Sequence, residues 1–289
     1  MENTSYDNLP GYIWMNGEFI KWADAKVHVI NHAMHYASSV FEGNRAYNGK
    51  VFKLEEHTAR LFKSADILDM KIPYTKGEIN QACKDILTKQ NIKSAYMRPI
   101  VWRGSEQMGI SAQDTKINVA IAVWDWPSYF SIEDKMKGIR LTAALYQRPA
   151  PDTAPFRAKA AGLYMICTLS KHAAEAKGFD DALMLDYQGN IAESTGSNIF
   201  FVKDGELHTP DPYCFLNGIT RQTIIKLAED AGIKVNVRTI TPDELATFDE
   251  CFLCGTAIEI MPVRQIDTHN YTPSTITKQL IEAYVELHG

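Results

Sequence analysis

The 289-residue sequence lacks an apolar run long enough to cross a bilayer, and residues 1–7 lack the basic and apolar segments of a secretory signal. It also lacks an excess of positive charge, because 30 Lys and Arg face 35 Asp and Glu. We therefore expect no membrane partner, no secretory signal and no nucleic-acid partner. Internal repeats and low-complexity tracts are absent too.

Cysteine is scarce, with five residues that are mostly dispersed along the chain. An odd, dispersed set is typical of proteins in a reducing compartment, so we expect a cytoplasmic location. Cys251 and Cys254 have the spacing of a metal or redox motif, but they lie in an apolar, strand-like run with no second pair or histidine nearby. This context favours a core strand, and we expect no metal.

Local patterns predict many short elements. Asn16-Gly17 and Asn48-Gly49 each separate two apolar runs, which predicts hairpins over 12–20 and 44–53. Period-2 alternation or apolar runs predict strands, and apolar residues at helical spacing predict helices. The further strands are expected at 26–30, 95–101, 117–124, 139–145, 181–186, 197–202, 234–239 and 250–254. The helices are expected at 55–70, 76–89, 165–177, 219–231 and 275–287, with another starting at Thr241-Pro242.

These elements divide into two groups around an aperiodic segment that begins at Trp126 and contains a proline and aromatic residues. We interpret it as an interdomain loop over 126–137. The preceding part, 1–125, is predicted to be a small α+β domain, and 138–289 a second domain.

Lys159 is the first residue to suggest chemistry, because it lies among Ala158, Ala160 and Ala161. Small neighbours let a planar ligand approach an amine, and partial desolvation lowers the pKa of a lysine. Taken alone, a solvated surface lysine is the ordinary interpretation.

Other features could bind anions. Gly218 precedes the helix at 219–231, and Gly255-Thr256-Ala257 forms a turn after an apolar strand, so both offer backbone N–H groups. Tyr96 and Arg98 share one face of a strand, as a carboxylate site would require. Arg60 either binds an anion or pairs with Glu55 and Glu56. Together with Glu193 these parts would hold pyridoxal phosphate, although a phosphosugar remains open on physical grounds.

The chain resembles the class IV, or fold type IV, pyridoxal-phosphate aminotransferases, and most closely the branched-chain amino-acid aminotransferases. The matching stretches occur in order along nearly the whole chain, at 24–29, 35–43, 56–61, 96–99, 158–164, 193–200, 217–221 and 255–257.

This resemblance implies a two-domain fold of the α+β and α/β type: a smaller N-terminal domain, a larger C-terminal domain with a barrel-like sheet, and the cofactor at the domain interface. It implies that Lys159 is the catalytic lysine, which binds pyridoxal 5′-phosphate covalently and moves a proton between Cα and C4′. Glu193 would hold the pyridine nitrogen, with Asn198 behind it, and Tyr164 would bind the 3-oxygen. The phosphate would be held by Arg60, Ile219, Thr220 and Thr256, and Leu216 would pack on the ring.

The implied reaction is a ping-pong transamination between L-leucine, L-isoleucine or L-valine and 2-oxoglutarate. The α-carboxylate would be bound at Tyr96 and at the backbone of Thr256 and Ala257, and Arg98 would meet the distal carboxylate of glutamate. The apolar wall would consist of Tyr36, Phe41, Trp126, Tyr129 and Ala257, with Ile110 from a neighbouring subunit. The resemblance therefore also implies a homo-oligomer, either a dimer or a hexamer.

The sequence departs from the usual branched-chain pattern at two places. Lys159 to Tyr164 reads Lys-Ala-Ala-Gly-Leu-Tyr rather than Lys-Ala-Gly-Gly-Asn-Tyr, and 193–198 reads Glu-Ser-Thr-Gly-Ser-Asn rather than Glu-Gly-x-Gly-Glu-Asn. Transaminases of D-amino acids or (R)-amines, and aminodeoxychorismate lyases, share the fold and the cofactor motif and are the alternatives. A binding protein on a decayed enzyme fold would be expected to have lost Lys159 or Glu193, and both are present.

Overall fold

The chain forms two compact units. A computed structural model describes residues 5–126 and 131–288. One unit comprises residues 1–127 with 158–162, and the other comprises residues 128–157 with 163–289. The segment that contains Lys159 therefore belongs to the first unit, although the chain on either side of it belongs to the second.

The first unit is built on a seven-stranded antiparallel sheet. The strand order is β2-β1-β7-β6-β4-β5, and β3 pairs with the far end of β6. The strands are β1 Tyr12–Met15, β2 Glu18–Lys21, β3 Ser39–Phe41, β4 Asn44–Tyr47, β5 Lys50–Val51, β6 Ala95–Arg103 and β7 Ile117–Asp125. The helices are α1 His32–Tyr36, α2 Leu54–Ile67 and α3 Lys76–Gln90, with 3-10 helices at Tyr6–Asn8 and Trp22–Asp24.

The two Asn-Gly turns form the hairpins that the sequence predicts. Asn16 and Gly17 have φ values of 51° and 96°, and Asn48 and Gly49 have values of 49° and 78°. Positive φ at both central residues is what a type I′ turn requires, and it sets the register of Met15 opposite Glu18. These predictions are confirmed.

Helices α2 and α3 pack against each other and against the sheet. A capping box starts α3, since Thr75 Oγ1 accepts from the Glu78 N–H at 3.2 Å and Glu78 Oε2 accepts from the Thr75 N–H at 2.7 Å. The apolar residues predicted for its inner face, including Ile79, Cys83 and Ile86, are fully buried.

The predicted strand over 26–30 is wrong. Residues 26–30 pair with no strand of the described chain, and the segment follows the 3-10 helix Trp22–Asp24 as irregular structure. Val27 and Val29 are both exposed. The alternation there comes from apolar side chains on the surface and not from a half-buried strand.

The second unit is built on a nine-stranded sheet in which six strands close into a ring. The ring runs β10-β9-β8-β15-β14-β11 and closes where β10 pairs with β11, so the predicted barrel-like sheet is confirmed. The strands are β8 Ile139–Ala143, β9 Asp181–Leu185, β10 Ile191–Ser194, β11 Asn198–Lys203, β12 Glu206–Pro210, β13 Val235–Arg238, β14 Glu250–Gly255, β15 Glu259–Ile266 and β16 His269–Asn270.

Within residues 131–288 the second unit has four helices, and two 3-10 helices lie in the same part of the chain. The helices are α4 Ile132–Lys135, α5 Met165–Ala176, α6 Ile219–Asp230 and α7 Thr275–Glu286, and the 3-10 helices are Ala161–Tyr164 and Pro242–Thr247. Thr241 and Glu244 form the predicted capping box before the latter. Helix α5 packs on β8 and β9, and α6 and α7 pack on β14.

A hydrophobic cluster of buried residues joins the strands of the ring. It includes Leu141, Leu183, Ile199, Phe201, Cys251, Leu253 and Val263. Cys251 and Cys254 are buried free thiols, and burial raises the pKa of both. The interpretation of this pair as part of a core strand is therefore confirmed. Within 5–126 and 131–288, no helix has the length and apolar character needed to cross a membrane.

Candidate active site

Lys159 is held in place through its backbone. Its carbonyl accepts from the Phe41 N–H at 3.1 Å, and its own N–H donates to Ser64 Oγ at 3.0 Å. Val40 and Ala160 form an antiparallel bridge, so the segment runs alongside β3. Its amine lies 5.0 Å from the centroid of the Phe41 ring. The small residues on both sides of Lys159 allow this close approach to the strand.

Arg60 projects from α2 toward Glu42, which lies between β3 and β4. The Arg60 Nε and Nη2 atoms donate to the two oxygens of Glu42 at 2.6 and 2.8 Å. Glu56, which the sequence offers as a partner, forms an ion pair with Lys53 at 3.0 Å. Arg60 therefore has a buried carboxylate as a partner that the sequence does not reveal.

Tyr96 and Arg98 lie on one face of β6, as the alternation predicts. Arg98 Nη2 donates to the Tyr96 hydroxyl at 3.1 Å, and the guanidinium carbon lies 4.8 Å from the centroid of the Phe41 ring. Arg98 Nε is buried, and no residue of the described chain accepts its proton. A Cβ at Gly43 would overlap the Tyr96 hydroxyl, so this position requires glycine. We call Phe41, Arg60, Tyr96, Arg98 and Lys159 the Lys159 cluster.

The other described residues of the predicted apolar wall in the first unit occupy two places. The Trp126 ring lies 5.6 Å from that of Tyr96. Tyr36, on α1, donates to the Met108 carbonyl at 3.1 Å, so it belongs with the turn that precedes Ile110. Ile110 is 83% exposed. Tyr129 lies outside the described residues.

Glu193 lies at the closure of the barrel. It is paired with Asn198 across β10 and β11, and the Asn198 amide nitrogen lies 3.3 Å from Glu193 Oε2 and 3.0 Å from the Leu216 carbonyl. The Asn198 oxygen accepts from the Gly218 N–H at 3.1 Å. One asparagine therefore connects the carboxylate to Leu216 and to the start of α6. We call Glu193, Asn198, Leu216, Ile219 and Thr220 the Glu193 cluster.

Helix α6 begins with a residue that has no side chain to cap it. Gly218 is the N-cap, and a Cβ there would overlap Asn198 Oδ1. The N–H groups of Ile219 and Thr220 in the first turn therefore receive no side-chain cap from Gly218, and the helix dipole adds positive potential at this end. This is the geometry of an anion site.

Thr256 and Ala257 lie in the turn between β14 and β15, half-buried. Gly255 pairs with Glu259 across the two strands, and a Cβ at Gly255 would lie 3.2 Å from Ser197 Oγ. Since Asn198 is paired with Cys254, this turn starts beside the Glu193 cluster. Tyr164 is half-buried at the end of the 3-10 helix before α5.

Arg148 is a buried residue beside Glu193 that sequence reasoning missed. Its Nε lies 3.3 Å from Glu193 Oε1, within ion-pair range but without the alignment of a hydrogen bond. Its Nη1 donates to Cys167 Sγ at 3.4 Å. Burial lowers the pKa of Arg148, but the nearby acidic groups, Glu193 first, outweigh burial and raise it. Arg148 therefore stays charged and favours the ionised form of Glu193.

The similarity to known proteins extends over nearly the whole chain. The family model "Amino-transferase class IV" matches residues 39–266. The chain belongs to the class IV aminotransferases. A branched-chain-amino-acid aminotransferase of Pseudomonas aeruginosa is 42% identical over 284 residues, which cover 96% of this chain and 92% of that protein.

Two solved structures have the same fold as this class IV aminotransferase. The branched-chain amino acid aminotransferase of T.th. with pyridoxamine 5′-phosphate has a TM-score of 0.93 at 38% identity, covering 96% of this chain and 94% of that one. The same enzyme complexed with N-(5′-phosphopyridoxyl)-L-glutamate has a TM-score of 0.91 at 37% identity, covering 96% and 94%. The predicted fold type and the predicted cofactor, pyridoxal 5′-phosphate, are confirmed.

The donors present fit this cofactor. A phosphate needs a guanidinium and helix N–H groups, and the chain supplies Arg60 and the uncapped start of α6. A pyridine nitrogen needs a carboxylate that stays ionised, and Glu193 has Arg148 beside it. An aldehyde needs an amine, and Lys159 is held by its backbone with its side chain over Phe41.

Proposed function

We propose that this aminotransferase transfers the amino group of L-leucine, L-isoleucine or L-valine to 2-oxoglutarate, giving the branched 2-oxo acid and L-glutamate. The observation that carries the proposal is Arg98, whose buried Nε has no acceptor in the described chain while its charge lies against the rings of Phe41 and Tyr96. A cation between aromatic faces suits a carboxylate-bearing acceptor and an aliphatic donor in turn, because the rings offer apolar surface beside the charge.

We assign the cofactor roles to residues of both clusters. Pyridoxal phosphate, when bound, supplies the electron-withdrawing ring that stabilises the charge left at Cα after proton removal. Lys159 binds the cofactor and then, as a free amine, takes the Cα proton and returns it at C4′. Glu193 holds the pyridine nitrogen in its protonated form, supported by Asn198 and Arg148.

The remaining roles follow from the donors and surfaces that each residue offers. Arg60, Thr256 and the N–H groups of Ile219 and Thr220 bind the phosphate, Tyr164 binds the 3-oxygen, and Leu216 packs on the ring. The α-carboxylate of the substrate is bound at Tyr96 and at the backbone of Thr256 and Ala257. Phe41, Trp126 and Tyr129 contribute apolar surface to the substrate site.

The substrate assignment is tested by a donor panel. The purified enzyme, saturated with pyridoxal phosphate, is given 2-oxoglutarate and one donor, and glutamate formation is measured. We expect L-leucine, L-isoleucine and L-valine to give turnover well above that of D-alanine and (R)-1-phenylethylamine. Faster turnover of D-alanine or of the (R)-amine would overturn the branched-chain assignment in favour of the related transaminases.

We also propose that the enzyme is a cytoplasmic homo-oligomer, at least a dimer. The first unit exposes the large apolar side chains of Val27, Val29, Ile30, Met34 and Ile110. His32 and Tyr36 contact the carbonyls of Gly109 and Met108, so α1 lies beside the turn before Ile110. We propose that Ile110 reaches the substrate site of a neighbouring copy. The free, buried cysteines support the cytoplasmic location.

A further inference from the structure

Glu42 is a fully buried carboxylate that the roles assigned so far leave unexplained. It accepts hydrogen bonds from His57 Nδ1 at 2.6 Å and from Arg60 Nε and Nη2 at 2.6 and 2.8 Å. Two parallel N–H···O bonds to one carboxylate fix the plane of a guanidinium, which a single bond cannot do. The Glu42 side chain therefore determines how the Arg60 head is oriented.

The surroundings of Glu42 and His57 determine their protonation states. Burial raises the pKa of Glu42, but the charge of Arg60 and the hydrogen bonds from Arg60 and His57 outweigh burial and hold that pKa well below its usual range. Burial lowers the pKa of His57, so the imidazole is neutral at pH 7. An ionised carboxylate only accepts, so His57 must carry its proton on Nδ1. Glu42 and Arg60 thus form a buried ion pair, and His57 is a neutral donor that restrains Glu42.

One face of α2 carries Arg60 and also contacts the backbone of Lys159. His57, Arg60 and Ser64 are spaced i, i+3 and i+7 on α2, so they share one face. Ser64 accepts from the Lys159 N–H, while Phe41, the neighbour of Glu42, donates to the Lys159 carbonyl. Fixing Arg60 through Glu42 therefore fixes it relative to the backbone of the catalytic lysine.

We propose that Glu42 is a positioning residue that orients Arg60 toward the phosphate of the cofactor and so makes cofactor affinity depend on the phosphate group. This inference rests on the proposed role of Arg60 in phosphate binding. Removing the carboxylate charge leaves Arg60 attached to α2 but no longer held in one plane. A ligand with the same aldehyde and ring but without a phosphate does not depend on how Glu42 orients Arg60.

The test compares pyridoxal phosphate with pyridoxal, which lacks only the phosphate. The Kd of each is measured by equilibrium dialysis against the full-length enzyme freed of cofactor. We expect Glu42→Gln to raise the Kd of pyridoxal phosphate about 10-fold to 100-fold, as loss of one partner of a buried charged pair does, and to change that of pyridoxal less than about twofold. Equal losses for both ligands would show that Glu42 only supports the fold and would overturn the proposal.

Two variants separate the possible failures. Glu56→Gln is the matched control, since it makes the same substitution on α2 at an exposed residue that pairs with Lys53, and it should change neither Kd. Arg60→Gln should remove the preference for pyridoxal phosphate by itself. If Arg60→Gln has no such effect, the proposed role of Arg60 fails; if Arg60→Gln does and Glu42→Gln does not, only the inference about Glu42 fails.

A milder substitution covers the case in which Glu42→Gln does not fold. Glu42→Asp keeps the charge but shortens the side chain by one methylene, so both oxygens cannot reach Nε and Nη2 in the same geometry. We expect a smaller loss that is still confined to pyridoxal phosphate. An unchanged ratio of the two Kd values in Glu42→Asp, with Arg60→Gln showing its loss, would count against a positioning role.

Discussion

At the scale of single residues, we propose that Arg98 lets one pocket accept two kinds of substrate. Its guanidinium lies against Phe41 and Tyr96, and its buried Nε has no acceptor in the described part of the chain. We expect Arg98→Ala to lower kcat/KM for 2-oxoglutarate about 10-fold to 100-fold more than for 2-oxoisocaproate, since a hydrogen bond to a charged group contributes about 1.5–3 kcal/mol. Steady-state kinetics with both acceptors measure this difference.

The control for Arg98→Ala is a variant that removes the Tyr96 hydroxyl, which Arg98 already contacts. Tyr96→Phe removes the acceptor of the Arg98 Nη2 bond and leaves the charge in place. We expect Tyr96→Phe to change kcat/KM for 2-oxoglutarate and for 2-oxoisocaproate by much more similar factors than Arg98→Ala does. Equal losses with both acceptors in Arg98→Ala would mean that Arg98 supports the structure rather than recognising the distal carboxylate.

Sequence reasoning finds the residues that have a local signature. Lys159 lies in a stretch that matches the family, although its small neighbours alone favour a surface lysine, and Gly218 precedes an amphipathic helix. Glu42, Ser64 and Arg148 have no such signature. Glu42 meets Arg60 across 18 positions, so its role is visible only after α2 has packed beside β3.

At the scale of elements, predictions that depend on local residues are correct, and one that depends on a distant pairing partner is wrong. The Asn16-Gly17 hairpin is set by two φ angles and forms as predicted. The segment 26–30 has the right alternation, but a strand needs a partner, and none of the described strands pairs with it. Helix α1 has only five residues, too few for helical periodicity to be read.

The turn that carries Thr256 and Ala257 is supported by a buried ion pair. Glu259, at the start of β15, has a φ of 60°, and its carboxylate lies 2.5 Å from Lys135 Nζ. Both side chains are buried. We expect Lys135→Met to lower the free energy of unfolding by about 3–5 kcal/mol, because it removes one member of a buried charged pair. Denaturant unfolding monitored by circular dichroism measures the change.

A second lysine, just after helix α4 that contains Lys135, serves as the control. Lys137 pairs with Asp134 but is exposed, so Lys137→Met should change stability little. The double variant Lys135→Met/Glu259→Gln should recover part of the loss, since the unpaired charge is then gone. A Lys135→Met variant as stable as Lys137→Met would show that the buried pair does not stabilise the turn.

At the scale of the whole molecule, we propose that a second copy of the chain packs on the exposed apolar surface of the first unit. Val27 and Met34 border a cavity of about 340 Å³ whose other walls include Ile100, Trp102, Ala120 and Ala122. A monomer would leave this surface in water, at a cost of roughly 25 cal/mol for each Å² of apolar area. A copy that covers it would also receive Ile110, as the proposed substrate site requires.

Two substitutions of equal chemistry test this assembly. Val27 and Val237 are both 48% exposed, the first beside the cavity of the first unit and the second on β13 of the second unit. We expect Val27→Glu to shift the enzyme toward monomers in sedimentation velocity and to reduce turnover of L-leucine, because a charge in an apolar interface must be desolvated without a partner. Val237→Glu should leave the sedimentation coefficient and the turnover near those of the unmodified enzyme. If Val27→Glu remains associated and fully active, the interface lies elsewhere, and the proposal that Ile110 reaches a neighbouring site loses its support.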